Sequence, residues 1–288
     1  MNIRLFIDAI CYDSRQRSPA PFLLFTLFVL IHPIAFCLLI RYALPGLWAS
    51  ELASGFAIIT ATFAIFHFVM SIGEYLFHRY VLHILTYEIM GVFYEKHTLV
   101  HHALTPIHID EKRHRINSSY PISSVDQDDC GTFPPWALLS FLAGLSVPMV
   151  ILALIFPSVP LLVAGYFAIS LSYYLYEVIH VTHHKSYDAW WATKIKTPIL
   201  GKIWRKIYGF HQAHHANYKC NMHVGGFFGL PIGDWLFGTY KQPSQLLNHE
   251  VAATKDMVQS LNPNPHWPIS WFDKISQKRR SRILSNKK

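Results

Sequence analysis

Four long apolar runs divide the chain. The first covers residues 22–40, with His32 and Pro33 inside it, and the second covers residues 52–70. The second carries on in helical period through Gly73 and Glu74 to His78. Residues 136–156 and 161–179 form the third and fourth, joined by a tight turn at Pro157 and Pro160. Each run approaches the roughly 20 residues a helix needs to cross a bilayer. The pattern predicts four transmembrane helices in two hairpins. A cleaved signal peptide is a poor match for the first run, which starts late, is too long and lacks a small-residue cleavage site.

Charges in the loops give an orientation. The N-terminus, the 79–135 stretch (Arg79, Lys96, Lys112, Arg113, Arg115) and everything after His180 are basic, whereas the 157–160 turn carries no charge. The loop between the first two runs holds only Arg41 and Glu51. The positive-inside rule therefore puts both termini and the 79–135 stretch in the cytoplasm. Three parts follow: a cytosolic N-terminal segment (1–20), a membrane-embedded domain (21–241) and a basic cytosolic tail (242–288). Residues 107–132 read as an irregular loop, and His108 and His114 carry no functional reading. The basic run 274–288 suits either contact with anionic lipid or a solvated tail. Residues 188–210 interleave Trp190, Trp191, Trp204 and Tyr208 with five lysines and arginines, as an interfacial helix does.

Composition agrees. Charged residues make up only 15% of the chain and apolar ones 52%, where a soluble globule carries about a quarter charged. The net charge of +8 is compatible with nucleic acid or a membrane surface, and the apolar runs decide for membrane. Cys11, Cys37, Cys130 and Cys220 show no CxxC spacing, which fits a reducing, cytosol-facing setting and small apolar residues.

The chemistry lies in the histidines. Eleven of eighteen fall into four clusters: His78 and His83; His97, His101 and His102 (HxxxHH); His180, His183 and His184 (HxxHH); and His211, His214 and His215 (HxxHH). Positions i, i+3 and i+4 share a helix face, so each HxxHH offers three rings to one point. His78 and His83 diverge by about 140° on an ideal α-helix and need a helix end or local unwinding to converge. The expectation is a polyhistidine site for more than one metal ion, with all four clusters on one side of the membrane.

GEYLFHRYVLH (residues 73–83), HTLVHH, HVTHH and HQAHH, with the endings HHANYKCNM and DWLFGTY, resemble the fatty acid hydroxylase superfamily, membrane-embedded di-metal oxygenases related to sterol desaturases. The likeness covers roughly residues 60–241. Thirteen residues separate His83 from His97 and seventy-seven separate His102 from His180, a spacing similar to the family's. Two features depart from it: Asp234 precedes Trp235, and the third cluster is a full HxxHH, closer to the fatty acid 2-hydroxylase branch. The resemblance implies two iron ions, with zinc an alternative occupant in purified protein. It also implies a lipid substrate and a separate electron donor such as a cytochrome b5 or ferredoxin-type protein, since no haem motif is present. The membrane is then the bacterial inner membrane or the endoplasmic reticulum. Imidazole alone also suits zinc and copper. Metal-bound histidines hand their other N–H to a carboxylate or carbonyl, making Glu74, Glu177, Asn221 and Asp234 candidate supports.

Three other classes fit less well. A zinc protease needs HExxH, and the only His-Glu dipeptide is His249-Glu250. A b-type cytochrome needs paired histidines about a dozen residues apart within one span, and His67 has no such partner. A metal transporter or metal-binding membrane protein needs polar ligands at mid-membrane depth. Hydroxylation against desaturation, and acyl chain against sterol or carotenoid, stay open from sequence.

Overall fold

The computed structural model describes residues 20–122, 132–134, 136–248 and 251–285. Residues 1–19, Cys130 and His249 thus lie outside the described residues. The order is α1 (Ala20–Ala43), α2 (Pro45–Ala53), α3 (Phe56–Phe77) with a π-helical extension His78–His83, then α4 (Gly91–Tyr94) with a second π-segment Glu95–His101, and α5 (His102–Leu104). After these come β1 (Ile107–Asp110), β2 (Arg115–Ser118), α6 (Ala137–Ile155) and α7 (Leu161–His183). A π-turn (Tyr187–Trp191) leads to α8 (Ala192–Ile195), α9 (Gly201–Ala216), α10 (Ile232–Phe237), α11 (Lys255–Ser260) and α12 (Ile269–Ser285).

Among the described residues, four helices are long and apolar enough to cross a membrane: Phe22–Ala43, Phe56–His83, Ala137–Ile155 and Leu161–His183. The second starts later than its apolar run, because Gly55 at φ 83° breaks the chain after α2, a conformation that costs glycine little. The fourth is the centre. Its apolar window is 61% buried, against 17–28% for the other three, and α1, α3 and α6 all pack on it. Its small residues Ala164, Gly165, Ala168, Ser170 and Ser172 permit that close approach. The outward faces of the others stay apolar and uncovered, as at Leu27, Ile31, Ile65, Val69, Leu154 and Ile155.

Glu51 fixes the end of this bundle far from the histidines. It is buried, and its carboxylate accepts the Leu162 and Val163 amides at the α7 N-terminus, each at 2.9 Å. An acidic group there meets unpaired amides and the positive end of the helix dipole. Glu51 thus ties the α2 connection to the fourth span.

The segments outside the spans have their own core. Ile107, Ile116, Tyr120, Trp191, Tyr208, Ala213, Leu246, Leu247, Met257 and Leu261 form one buried cluster. The 107–118 stretch, expected as irregular loop, is an antiparallel hairpin pairing Ile107 with Ser118 and Ile109 with Ile116. Its alternation puts Ile107 and Ile116 inward, a period-2 signal too short to stand out among charges. Residues 269–285, which include most of the basic run, form a helix with mostly exposed side chains. Asp273 takes two hydrogen bonds from Arg79, at 2.8 and 2.6 Å, so α12 grips the π-turn between His78 and His83.

Candidate metal centre

The π-turn resolves the angular mismatch of His78 and His83. A π-helix closes i→i+5 bonds, so residues five apart fall on nearly one face. The two Nε2 atoms stand 3.1 Å apart with stacked rings. The second π-segment treats its cluster the same way, turning His97, His101 and His102 inward.

Two groups of nitrogen donors result. His78, His83, His97 and His214 place one ring nitrogen each within 4.8 Å of one another, as do His101, His180, His184, His211 and His215, and all nine are buried. Both groups draw on several elements: α3 and its π-turn, the 95–102 segment, the end of α7, and the last turn of α9. His102 lies between them, its ring 4.7 Å from His83, 5.0 Å from His214 and 4.2 Å from His215. His183 falls outside both groups and stacks on His211 at 4.8 Å.

Proton bookkeeping shows that the first group fits a cation. His78 Nδ1 donates to the Met222 carbonyl, and His214 Nδ1 donates to the Cys220 carbonyl at 2.8 Å. The Thr98 hydroxyl gives its hydrogen to the Leu82 carbonyl, so it accepts from His83 Nδ1 at 3.0 Å. Each neutral ring has one N–H, and these three have spent theirs. Their Nε2 lone pairs nevertheless face one another, 3.1 Å apart for His78 and His83 and 3.0 Å for His83 and His214. Lone pairs at that distance repel unless a cation sits between them. Two imidazole nitrogens at about 2.1 Å from one metal ion stand about 3.0 Å apart at an angle of about 90° and about 3.4 Å apart in a tetrahedral site. In the second group, His184 Nδ1 donates to the Tyr120 carbonyl at 2.8 Å and His215 Nδ1 to the Thr105 carbonyl at 2.9 Å. The buried His101 ring nitrogens and His215 Nε2 have no hydrogen-bond partner, a costly state that coordination relieves. The buried histidine clusters can hold metal ions.

Burial, reinforced by neighbouring imidazoles, holds His97, His101, His102, His184, His211 and His215 well below their ordinary value. Burial also lowers His214, to about 4. All are therefore neutral near pH 7, the form that binds metal.

The expected supports act through the backbone. Glu74 accepts the Val224, Gly225 and Gly226 amides at 2.7–2.9 Å, and Glu177 accepts the Phe133 amide at 2.9 Å. Asp234 accepts the Met222 and His223 amides and the Thr239 hydroxyl. Burial opposes its ionisation, but hydrogen bonds from His223 and Thr239 outweigh this and hold its carboxyl below the usual range. Asn221 bonds the Phe210 and Lys241 carbonyls and the Lys241 amide. Glu74, Asp234 and the Asn221 side chain together clamp residues 221–226, and that segment presents the Met222 carbonyl to His78. Gly225 passes so close to α7 that a Cβ would lie 2.7 Å from the Tyr176 nitrogen. Thr98, Thr105, Tyr120 and His223 escaped sequence reasoning because none belongs to a cluster. Only their proximity in the fold marks them.

An apolar cavity of about 390 Å³ runs between α3, α6 and α7 and reaches this centre. Met70, Phe77, Phe141, Leu145 and Ile169 line its body, and Glu74, His78 and Tyr176 line the end nearest the histidines. No family model matches the chain, and it has no significant likeness to a curated protein or a solved structure.

Proposed function

We propose that the chain is a membrane-bound oxygenase that holds two iron ions and hydroxylates a lipid acyl chain. Electrons come from a separate donor such as a cytochrome b5 or ferredoxin-type protein. The observation that carries this reading is the apolar cavity ending on His78, beside two groups of inward-facing imidazoles. Iron bound by such ligands supplies the power to activate dioxygen against an unactivated C–H bond. The sum is one C–H bond, dioxygen, two electrons and two protons giving one C–OH and water.

The chain's own groups do the rest. Met70, Phe77, Phe141, Leu145 and Ile169 seat a saturated chain and keep water from its reacting carbon. The Met222, Cys220, Thr105 and Tyr120 carbonyls and the Thr98 hydroxyl fix ring orientation and tautomer, so that lone pairs point inward. Glu74 and Asp234 hold the loop that carries the Met222 carbonyl. The likeness of the four motifs to fatty acid hydroxylases supports the same reading, as does the basic character of the segments around the histidines. Those charges support a site on the cytoplasmic face of two membrane hairpins, within reach of a soluble donor, in a bacterial inner membrane or the endoplasmic reticulum.

Purified protein reconstituted with iron, a reductant system and 18O-labelled dioxygen should yield a lipid carrying one labelled oxygen. An unlabelled alkene moves the reaction to desaturation on the same site. No oxygen consumption with any lipid, in protein shown to hold iron, contradicts the reading.

A further inference from the structure

A second cavity, of about 400 Å³, lies between the last turns of α7, α9 and the 223–240 segment. The proposed reaction makes no use of it. Ile179, Thr182 and His183 form its α7 wall and Ile203, Lys206 and Ile207 its α9 wall, with Leu230 and Trp235 opposite. Four observations bear on its occupant.

The first is depth. Ile179 to His183 are the last residues of the fourth span, so the cavity sits where the apolar bundle meets the polar cap. Trp191, Trp204, Trp235 and Tyr240 line it too, the residue types that gather at the headgroup level of a bilayer. The second is its mouth. Ile203, Leu230 and Trp235 are about half exposed, and uncovered apolar side chains beside a span end face lipid. The third is charge. Lys206 is exposed and lines the cavity, and no carboxylate lines it among the described residues. Lys202 and Arg205, on the same helix, are also exposed. The fourth is an unanswered polar atom. His183 is 3% exposed, and its Nδ1 has no hydrogen-bond partner.

We infer that this cavity is a binding site for an anionic membrane phospholipid, distinct from the substrate cavity. The phosphate pairs with Lys206, an ester carbonyl or glycerol oxygen meets His183, and the start of an acyl chain lies along Ile203, Ile207 and Leu230. Basic pockets at span ends bind acidic headgroups by this combination of charge and apolar area. A purely aqueous anion would leave the apolar walls unused, and a neutral lipid would leave Lys206 unused. Because His183 stacks on His211, the bound lipid also presses on a ring of the five-histidine group. The site depends on the span ends and not on the reaction, so it stands or falls separately from the oxygenase reading.

The test is native mass spectrometry of the full chain in detergent, titrated with phosphatidylglycerol, phosphatidylcholine or inorganic phosphate. The wild type should retain one phosphatidylglycerol, with phosphatidylcholine and phosphate binding at least tenfold more weakly. Lys206→Glu should weaken phosphatidylglycerol by roughly tenfold or more, since it removes a basic charge near the surface and adds an acidic one. Ile203→Trp, at an exposed position, should narrow the mouth and weaken it as well. Metal content and thermal unfolding without added lipid show that both variants are folded. Equal retention of phosphatidylcholine, competition by phosphate at lipid-like concentration, or unchanged binding in both folded variants would overturn the assignment.

Discussion

The two histidine groups share the 95–101 segment and α9, but the π-turn after α3 completes one and the end of α7 the other, and they are held differently. In the four-histidine group, His78, His83 and His214 each hand Nδ1 to a protein acceptor. In the five-histidine group, His184 and His215 do so, while the Nδ1 atoms of His101 and His211 have no partner. Three of the four rings in the first group are thus oriented before any ion arrives, and through His78 that group borders the apolar cavity. The second has more donors but relies on its ion to orient some of them. More of the held rings belong to the group nearest the cavity, where, under the proposed reading, a small displacement of the reacting atoms would cost most.

The largest effect expected from this comparison is loss of a ligand. His78→Ala and His184→Ala should each remove one ion of two and abolish turnover, read by metal analysis and oxygen consumption. Retention of both ions in either variant would break the division into two groups. Acid should act next. His214 titrates at about 4 in the fold, against an ordinary value of about 6.5. Between those values the unfolded chain binds a proton that the folded chain refuses, so stability falls as pH drops from about 6.5 toward 4. Metal-free protein should therefore melt progressively lower across that window, and metal-loaded protein should release its ions there. A flat melting profile would show that these imidazoles are not buried as neutral rings.

Smaller changes sharpen the contrast. Thr98→Val removes the hydroxyl acceptor at His83 Nδ1 and should weaken metal binding at the four-histidine group by about 10–100-fold. Thr105→Val should cost less, because His215 keeps the Thr105 carbonyl. Equal losses in a competitive chelator titration would mean that hydroxyls, not carbonyls, orient both groups. Gly144→Leu should leave metal content and melting unchanged, since nothing lies within 4 Å of a Cβ built there. Gly144 lines the apolar cavity, and under the proposed reading turnover of a long acyl chain should fall roughly tenfold or more. Unchanged turnover would place the substrate elsewhere.

The spans and the clustering were legible because both are repeated signals: long apolar runs and histidines at helical intervals. The His78–His83 spacing even exposed its own conflict with α-helical geometry, and the π-turn is how the chain meets it. What sequence could not show was contact between distant segments. Glu74 and Asp234 stood out as carboxylates near histidines, yet they grip backbone amides of residues 222–226. Backbone carbonyls, which every residue has, do the orienting and leave no mark in a sequence. Arg79–Asp273 joins positions 194 residues apart, so the role of α12 was equally hidden. Glu51 looked like a loop charge and is a buried cap.

The measurement closest to the central claim is metal content combined with anomalous X-ray scattering on crystals of the purified chain. Two ions per chain are expected, one among His78, His83, His97 and His214 and the other among His101, His180, His184, His211 and His215. A single ion, or ions bound outside these two groups, would contradict it.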